Sequence, residues 1–71
     1  MNHLVKSPLV GTVTKVNVKV GDSVTPDTVV AVMTYAEQEI QIEAEAAGTV
    51  STVLTVEGAM HKKDEILFLI D

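Results

Sequence analysis

The sequence predicts an all-β domain, a flattened barrel-sandwich of two four-stranded antiparallel sheets with internal pseudo-two-fold symmetry. The first observation is composition: 13 valines, eight threonines and four isoleucines make 25 of the 71 residues β-branched, and their stiff side chains suit strands. The second is an internal repeat of 37 residues. The third is that no segment has the capped 3.6-residue periodicity of a helix.

The repeat relates residues 1–34 to residues 38–71. Between 11–34 and 48–71, six of 24 positions are identical and several more keep their apolar character. Each half by itself would expose an apolar face, and pairing the two halves buries both faces. Two-fold symmetry then predicts that Tyr35, Ala36 and Glu37 form an exposed hairpin tip, with Met1 and Asp71 together at the opposite end.

The first half reads as short strands separated by turns. Val13, Val16 and Val18 alternate with polar residues, and the alternation slips by one residue near Lys15, which predicts a β-bulge or bend. The nearly apolar segment 28–34 predicts a strand covered on both sides. We expect the glycines at turns, where a permissive backbone is needed; they are Gly11, Gly21, Gly48 and Gly58.

The second half begins with a regular alternation of apolar and polar residues. Ile40, Ile42 and Ala44 alternate with Glu39, Gln41, Glu43 and Glu45, which predicts a strand with one buried face. One domain, residues 1–71, accounts for the whole chain. With one Phe and one Tyr, its core must be aliphatic. We expect these side chains to be largely buried: Val13, Val16, Val30, Val32, Ile42, Val50, Val53, Leu67 and Leu69.

Charge and hydropathy exclude several functions. The chain has five lysines, no arginine and ten acidic residues, for a net charge of −5. Such a surface repels phosphate backbones and anionic lipid, so we expect no nucleic-acid or membrane partner. No apolar segment approaches the roughly 20 residues that span a bilayer. The absence of cysteine fits a cytoplasmic location, which we expect.

The histidines and the acidic residues of the sequence give little support for an enzyme or a metal site. Neither His3 nor His61 has a recognisable partner spacing, and His61 is expected to be a half-buried or rim side chain rather than a general base. The acidic series Glu37, Glu39, Glu43 and Glu45 could suggest a weak site for a hard metal ion. An exposed acidic strand face more often gives solubility and protects a sheet edge. We therefore expect no catalytic residues and no metal.

Several short segments resemble those of the biotinyl/lipoyl attachment domain family. They occur in the family's order, recur in both halves of the repeat and extend over nearly the whole chain. Those of the first half are similar to the family's opening SPMPGTV and its VKxGDxV turn. Those of the second half are similar to its GxV, VxEGD and GDxL segments. The segments are SP at 7–8, GTV at 11–13, VKVGDSV at 18–24, GTV at 48–50, VEG at 56–58 and DEIL at 64–67. The resemblance implies the barrel-sandwich fold and a carrier role.

The resemblance also implies a site, and this chain departs from the family there. Relatives carry biotin or lipoate as an amide on a lysine at the central hairpin tip, and counting back eleven residues from Gly48 puts that position at Glu37. Its neighbours are Ala36 and Gln38 rather than methionines, and no lysine occurs from 20 to 61. A carboxylate cannot accept the acyl group, so we expect no attached cofactor.

Three interpretations remain open. The first is a carrier-like domain without cofactor that acts through its surface, docking on or regulating a biotin-dependent carboxylase subunit or a biotin or lipoate ligase. The second is a carboxylase biotin carboxyl carrier domain with an engineered hairpin tip, against which the altered neighbours count. The third is a structural lipoyl-like module of a larger assembly, disfavoured because such modules carry a long insertion at this hairpin. In each, Tyr35 is the tip aromatic that could pack over the hairpin or contact a partner.

Overall fold

The computed structural model describes residues 3–71 and contains eight strands. That part of the chain has no helix long and apolar enough to cross a membrane. It is strand, turn and loop throughout, as predicted. The strands are β1 (His3–Lys6), β2 (Gly11–Val16), β3 (Ser23–Val24), β4 (Val29–Tyr35), β5 (Gln38–Glu43), β6 (Gly48–Val53), β7 (Met60–His61) and β8 (Ile66–Ile70).

The strands form two antiparallel four-stranded sheets that the sequence repeat interconverts. One sheet has the order β1-β8-β6-β3 and the other β5-β4-β2-β7. A shift of 37 residues turns β1–β4 into β5–β8 and so converts the first order into the second. The shift also preserves register, because His3 pairs with Ile70 where Ile40 pairs with Met33. The predicted all-β, pseudo-two-fold sandwich is confirmed.

The two repeats are interleaved rather than each forming one sheet. Each sheet takes two strands from the first repeat and two from the second. Of the six strand pairings, only β2 with β4 and β6 with β8 join strands of the same repeat. Periodicity predicts which face of a strand is buried but not which strand lies beside it, so this arrangement could not be predicted.

The predicted irregularity near Lys15 is a register shift in the pairing of β2 with β4. The shift lies between Val13 and Lys15. Its counterpart in the second repeat lies between Val50 and Thr52, in the pairing of β6 with β8. One extra residue on the bulged strand changes the strand's direction and returns the next apolar residue to the inner face.

The core lies between the two sheets and is aliphatic apart from Phe68. Six of the nine predicted core residues are buried, while Val16 and Val53 are only partly buried at its margin. Leu69 is half-buried, because alternation along β8 turns it outward toward Leu4 while Phe68 and Ile70 point inward. The other buried apolar residues, outside that list of nine, are Val5, Val24, Ala31, Met33, Ala44, Phe68 and Ile70.

The glycines divide into two symmetric pairs. Gly21 and Gly58 lie in turns with φ of 98° and 92°, as expected. Gly11 and Gly48 do not lie in turns but open β2 and β6. A Cβ on Gly11 would lie 2.6 Å from the carbonyl oxygen of Thr34, and one on Gly48 would overlap that of Asp71. These two positions need glycine because backbones approach closely there.

Candidate functional site

The predicted hairpin tip is a two-residue turn between β4 and β5. Tyr35 pairs with Gln38 across it. The two loop residues, Ala36 and Glu37, have φ of 51° and 65°. Positive φ at both central residues is the signature of a type I′ turn, whose twist matches that of the flanking strands. Because neither residue is glycine, the turn holds two side chains in the left-handed region.

The hairpin presents its side chains to solvent. Tyr35 is 56% exposed, so it does not pack down over the hairpin. Ala36, Glu37 and Gln38 are exposed as well. The tip therefore offers one aromatic ring, one carboxylate and one amide on a short rigid turn, with no apolar cover.

The acidic series continues from the tip along β5, the edge strand of its sheet. Glu39, Gln41 and Glu43 are exposed while Ile42 is buried, which confirms the predicted alternation within the strand. Glu45 lies beyond the strand end, where its φ is 62° and its backbone N–H donates to the carbonyl of Pro26. No three His, Asp or Glu side chains of residues 3–71 come together as a group that could hold a metal ion.

His61 is half-buried, as expected for a rim side chain, but it has partners that sequence spacing did not reveal. Its Nε2 lies 2.8 Å from the hydroxyl of Thr55, and its Nδ1 lies 2.8 Å from Oε1 of Glu65. This hydrogen bond to His61 is the main reason that the pKa of Glu65 is lowered, followed by the backbone N–H of Lys62. A signal did exist: the repeat aligns Thr55, His61 and Glu65 with Val18, Val24 and Thr28, so two apolar residues are replaced by polar ones and a threonine by a carboxylate.

The turn after β7 lies at the same end of the molecule as the hairpin tip. Thr12 of β2 pairs with Thr34 of β4 on one side and with Met60 of β7 on the other. Because β7 is antiparallel to β2, the chain runs from Met60 through His61 toward the end of the sheet that carries the hairpin tip. Lys62 and Lys63 therefore emerge at the tip end, two strands away from the hairpin. The repeat aligns these lysines with Thr25 and Pro26, but the alignment does not show which end of the sandwich that turn occupies.

Comparisons with known proteins agree with this geometry. A family model described as "Biotin-requiring enzyme", the biotin/lipoyl model, matches residues 3–70. No curated protein sequence matches the chain.

Two carboxylases are among the solved structures that share the fold. The urea carboxylase of Kluyveromyces lactis superimposes with a TM-score of 0.92 at 24% identity, over all of this chain and 6% of that one. A single-chain, multi-domain long-chain acyl-CoA carboxylase superimposes with a TM-score of 0.88 at 19% identity, over 96% of this chain and 7% of that one. The chain thus spans a small fraction of the length of these carboxylases. On the family match over residues 3–70, this chain belongs to the biotin/lipoyl attachment domain family.

Proposed function

We propose that this domain is a non-catalytic carrier-type module that lacks the cofactor-accepting lysine and acts by presenting its hairpin tip to a protein partner. The observation that carries the proposal is the residue at the tip: Glu37 occupies the second loop position of the two-residue turn, eleven residues before Gly48. The family resemblance implies a lysine there. Since no lysine occurs between Lys19 and Lys62, a small shift in alignment does not supply one.

Chemistry explains why this difference abolishes attachment. Acylation from an activated adenylate requires a nucleophilic amine, and a carboxylate at the same position offers none. The side chains of Ala36 and Gln38 also differ from the methionines that flank the biotinyl lysine in the family. The tip would therefore carry no biotin or lipoate, and its function would depend on its own surface.

The partner we propose is a biotin-dependent carboxylase subunit or a biotin or lipoate ligase, which the domain docks on or regulates. Support comes from the carrier fold, from its likeness to parts of two carboxylases, and from the exposed tip built around Tyr35 and Glu37. Aromatic side chains are enriched among residues that dominate binding energy. The two-residue loop favours this interpretation over a structural module split by a long insertion. A cytoplasmic location remains a prediction from composition.

Acylation tests the proposal directly. The unaltered protein, incubated with ATP, biotin and a biotin ligase, should gain no mass. Glu37→Lys combined with Ala36→Met and Gln38→Met should gain one biotin, because the amine then stands on a turn with flanking residues of the family type. Intact-mass spectrometry measures both results. The single variant Glu37→Lys should react more slowly.

A matched variant separates position from charge. Asp27→Lys makes the same charge change on an exposed turn between β3 and β4, and it should stay unmodified. Efficient acylation of the unaltered chain would contradict the assignment of Glu37. A folded triple variant that is not acylated would show that the surface around the tip has diverged from the carrier role altogether.

A further inference from the structure

The hydrogen-bonded chain of Thr55, His61 and Glu65 joins two segments at the tip end of the domain. Thr55 lies in the crossover between β6 and β7, His61 ends β7, and Glu65 closes the turn before β8. Thr55 is 6% exposed and the His61 side chain 12%, whereas the Glu65 side chain is 46% exposed. The chain thus runs from a buried hydroxyl, through a largely buried imidazole, to a carboxylate at the surface.

The internal symmetry provides a control for what the fold itself needs at these positions. The equivalents of Thr55 and His61 are Val18 and Val24. Val24 is 5% exposed and belongs to the core, and Val18 packs against it. The same backbone arrangement therefore forms with apolar side chains at these two positions. Replacing a buried polar group and its partner by apolar groups of similar shape is often neutral or stabilising, so stability of the fold does not explain the polar trio.

The tautomer of the neutral imidazole follows from its partners. A carboxylate can only accept, so Nδ1–H of His61 donates to Glu65 and Nε2 accepts from the hydroxyl of Thr55. In this state every polar atom of the trio has a partner, in agreement with the absence of unsatisfied buried side-chain atoms in residues 3–71. When the imidazole takes up a proton, Nε2 becomes a donor. The buried Thr55 hydroxyl must then accept, and its own proton loses its acceptor.

The charged groups around His61 offset this loss only in part, although a protonated imidazole forms an ion pair with Glu65. Lys62 adds a like charge beside an imidazolium, and the attraction of Glu65 is screened because that carboxylate is nearly half exposed. The paired part of β2, Gly11 and Thr12, carries no charge. The charged residues of the surrounding elements are Lys6 in β1, Glu57 in the crossover, and Lys62, Lys63, Asp64 and Glu65 in the turn.

The turn that contains Asp64 and Glu65 is also connected, through Ser7, to the strand that carries the hairpin. The backbone N–H of Ser7 donates to the carbonyl of Glu65 at 2.8 Å, and the N–H of Asp64 donates to the carbonyl of Ser7 at 2.8 Å. The buried hydroxyl of Ser7 also lies 3.4 Å from the sulfur of Met33, two residues before Tyr35 on β4. Loosening the turn therefore acts on the strand that carries the tip.

We propose that Thr55, His61 and Glu65 form a proton-operated latch that holds the tip end of the domain closed while the imidazole is neutral and loosens it when the imidazole is protonated. The opposite end, which has Val18, Val24 and Thr28 at the equivalent positions, has no such latch. The domain would then open asymmetrically when His61 is protonated, at the end that carries the hairpin. The inference rests on the fold and the trio, and it does not depend on the function proposed for Glu37.

Amide hydrogen exchange followed by NMR tests the latch with a reference inside the same molecule. The bond from Ser7 N–H to the Glu65 carbonyl has a symmetric equivalent at the other end, from Ala44 N–H to the Thr28 carbonyl at 2.9 Å. The protection factors of the two amides, corrected for intrinsic exchange, are measured over a range of pH. The NMR resonances of the His61 ring report the protonation of the imidazole in the same samples. The Ser7 to Ala44 ratio should fall about tenfold across that titration, the size expected for one lost hydrogen bond.

Two variants make the test specific. His61→Val installs the residue of the equivalent position and should give a ratio that does not change with pH. His3→Asn removes the other histidine and should keep the fall. If His61→Val fails to fold, Thr55→Val, which installs the equivalent of Val18, should also remove the dependence, because no buried hydroxyl then loses its acceptor. A constant or rising ratio in the unaltered protein, or an unchanged fall in the folded His61→Val or Thr55→Val variant, would overturn the latch.

Discussion

Glu37 and Leu69 show how single side chains acquire their roles from the backbone that holds them. Glu37 sits in a left-handed turn conformation and points its carboxylate to solvent. Leu69 is apolar in an apolar strand, yet it lies on the outer face because Phe68 and Ile70 take the inner one. The sequence predicted that both Leu67 and Leu69 are buried, but only Leu67 is, because the register of the sheet decides which residues of β8 fill the core.

The contrast between Leu67 and Leu69 gives a prediction at this scale. Leu67 is fully buried in the core cluster and Leu69 is half-buried on the outer face. Leu67→Ala should lower the free energy of unfolding by about 2–5 kcal/mol, since it leaves a cavity that the surrounding residues fill only partly. Leu69→Ala should cost clearly less. Urea unfolding followed by circular dichroism measures both, and equal losses would mean that the register of β8 is wrong.

The elements of the fold were predictable to different degrees. Alternation identified β5, and the slip near Lys15 predicted the register shift of β2, because both are local properties of the chain. The glycines that open β2 and β6 were mistaken for turn residues, because a close approach to a distant carbonyl leaves no local signal. The trio around His61 was missed because Thr55 and His61 meet only after the crossover folds back, and its one signal is the repeat, which aligns these two residues with Val18 and Val24.

The hairpin turn gives a prediction at the scale of the element. Ala36 and Glu37 both adopt positive φ, which costs an ordinary residue about 1–2 kcal/mol relative to glycine. Asn-Gly is the favoured sequence of a type I′ turn. Ala36→Asn with Glu37→Gly should therefore raise the free energy of unfolding by about 1 kcal/mol. A lower midpoint in urea for the double variant would show that the turn is not of this type.

At the scale of the whole molecule, charge is unevenly placed. The net charge is −5, the acidic residues Glu37, Glu39 and Glu43 follow the tip and its edge strand, and Lys62 and Lys63 emerge two strands away at the same end. A partner that binds the tip meets a negative surface beside a smaller positive one. The electrostatic attraction between this surface and a partner of complementary charge is screened beyond about 10 Å at 0.1 M salt.

Partner binding should reflect this distribution. In a titration against a candidate carboxylase subunit or biotin ligase, affinity should weaken as salt rises, and Tyr35→Ala should weaken it by about tenfold or more if the ring is a dominant contact. Val20→Ala is a suitable control, because Val20 is 60% exposed in the crossover of the other end. A complex indifferent both to salt and to Tyr35→Ala would use another surface.

The interleaving of the repeats bears on how such a molecule could have arisen. Four of its six strand pairings join one repeat to the other, so half of the chain lacks the neighbours that its strands require. Two separate copies of a half-length peptide, however, could supply those neighbours to each other through the same symmetry. The symmetry of the sandwich is thus that of a two-fold dimer of half-length chains. The exposed turn at Ala36 and Glu37 is the covalent link between the two halves, so the segment offered to a partner is also the one that makes the two halves a single chain.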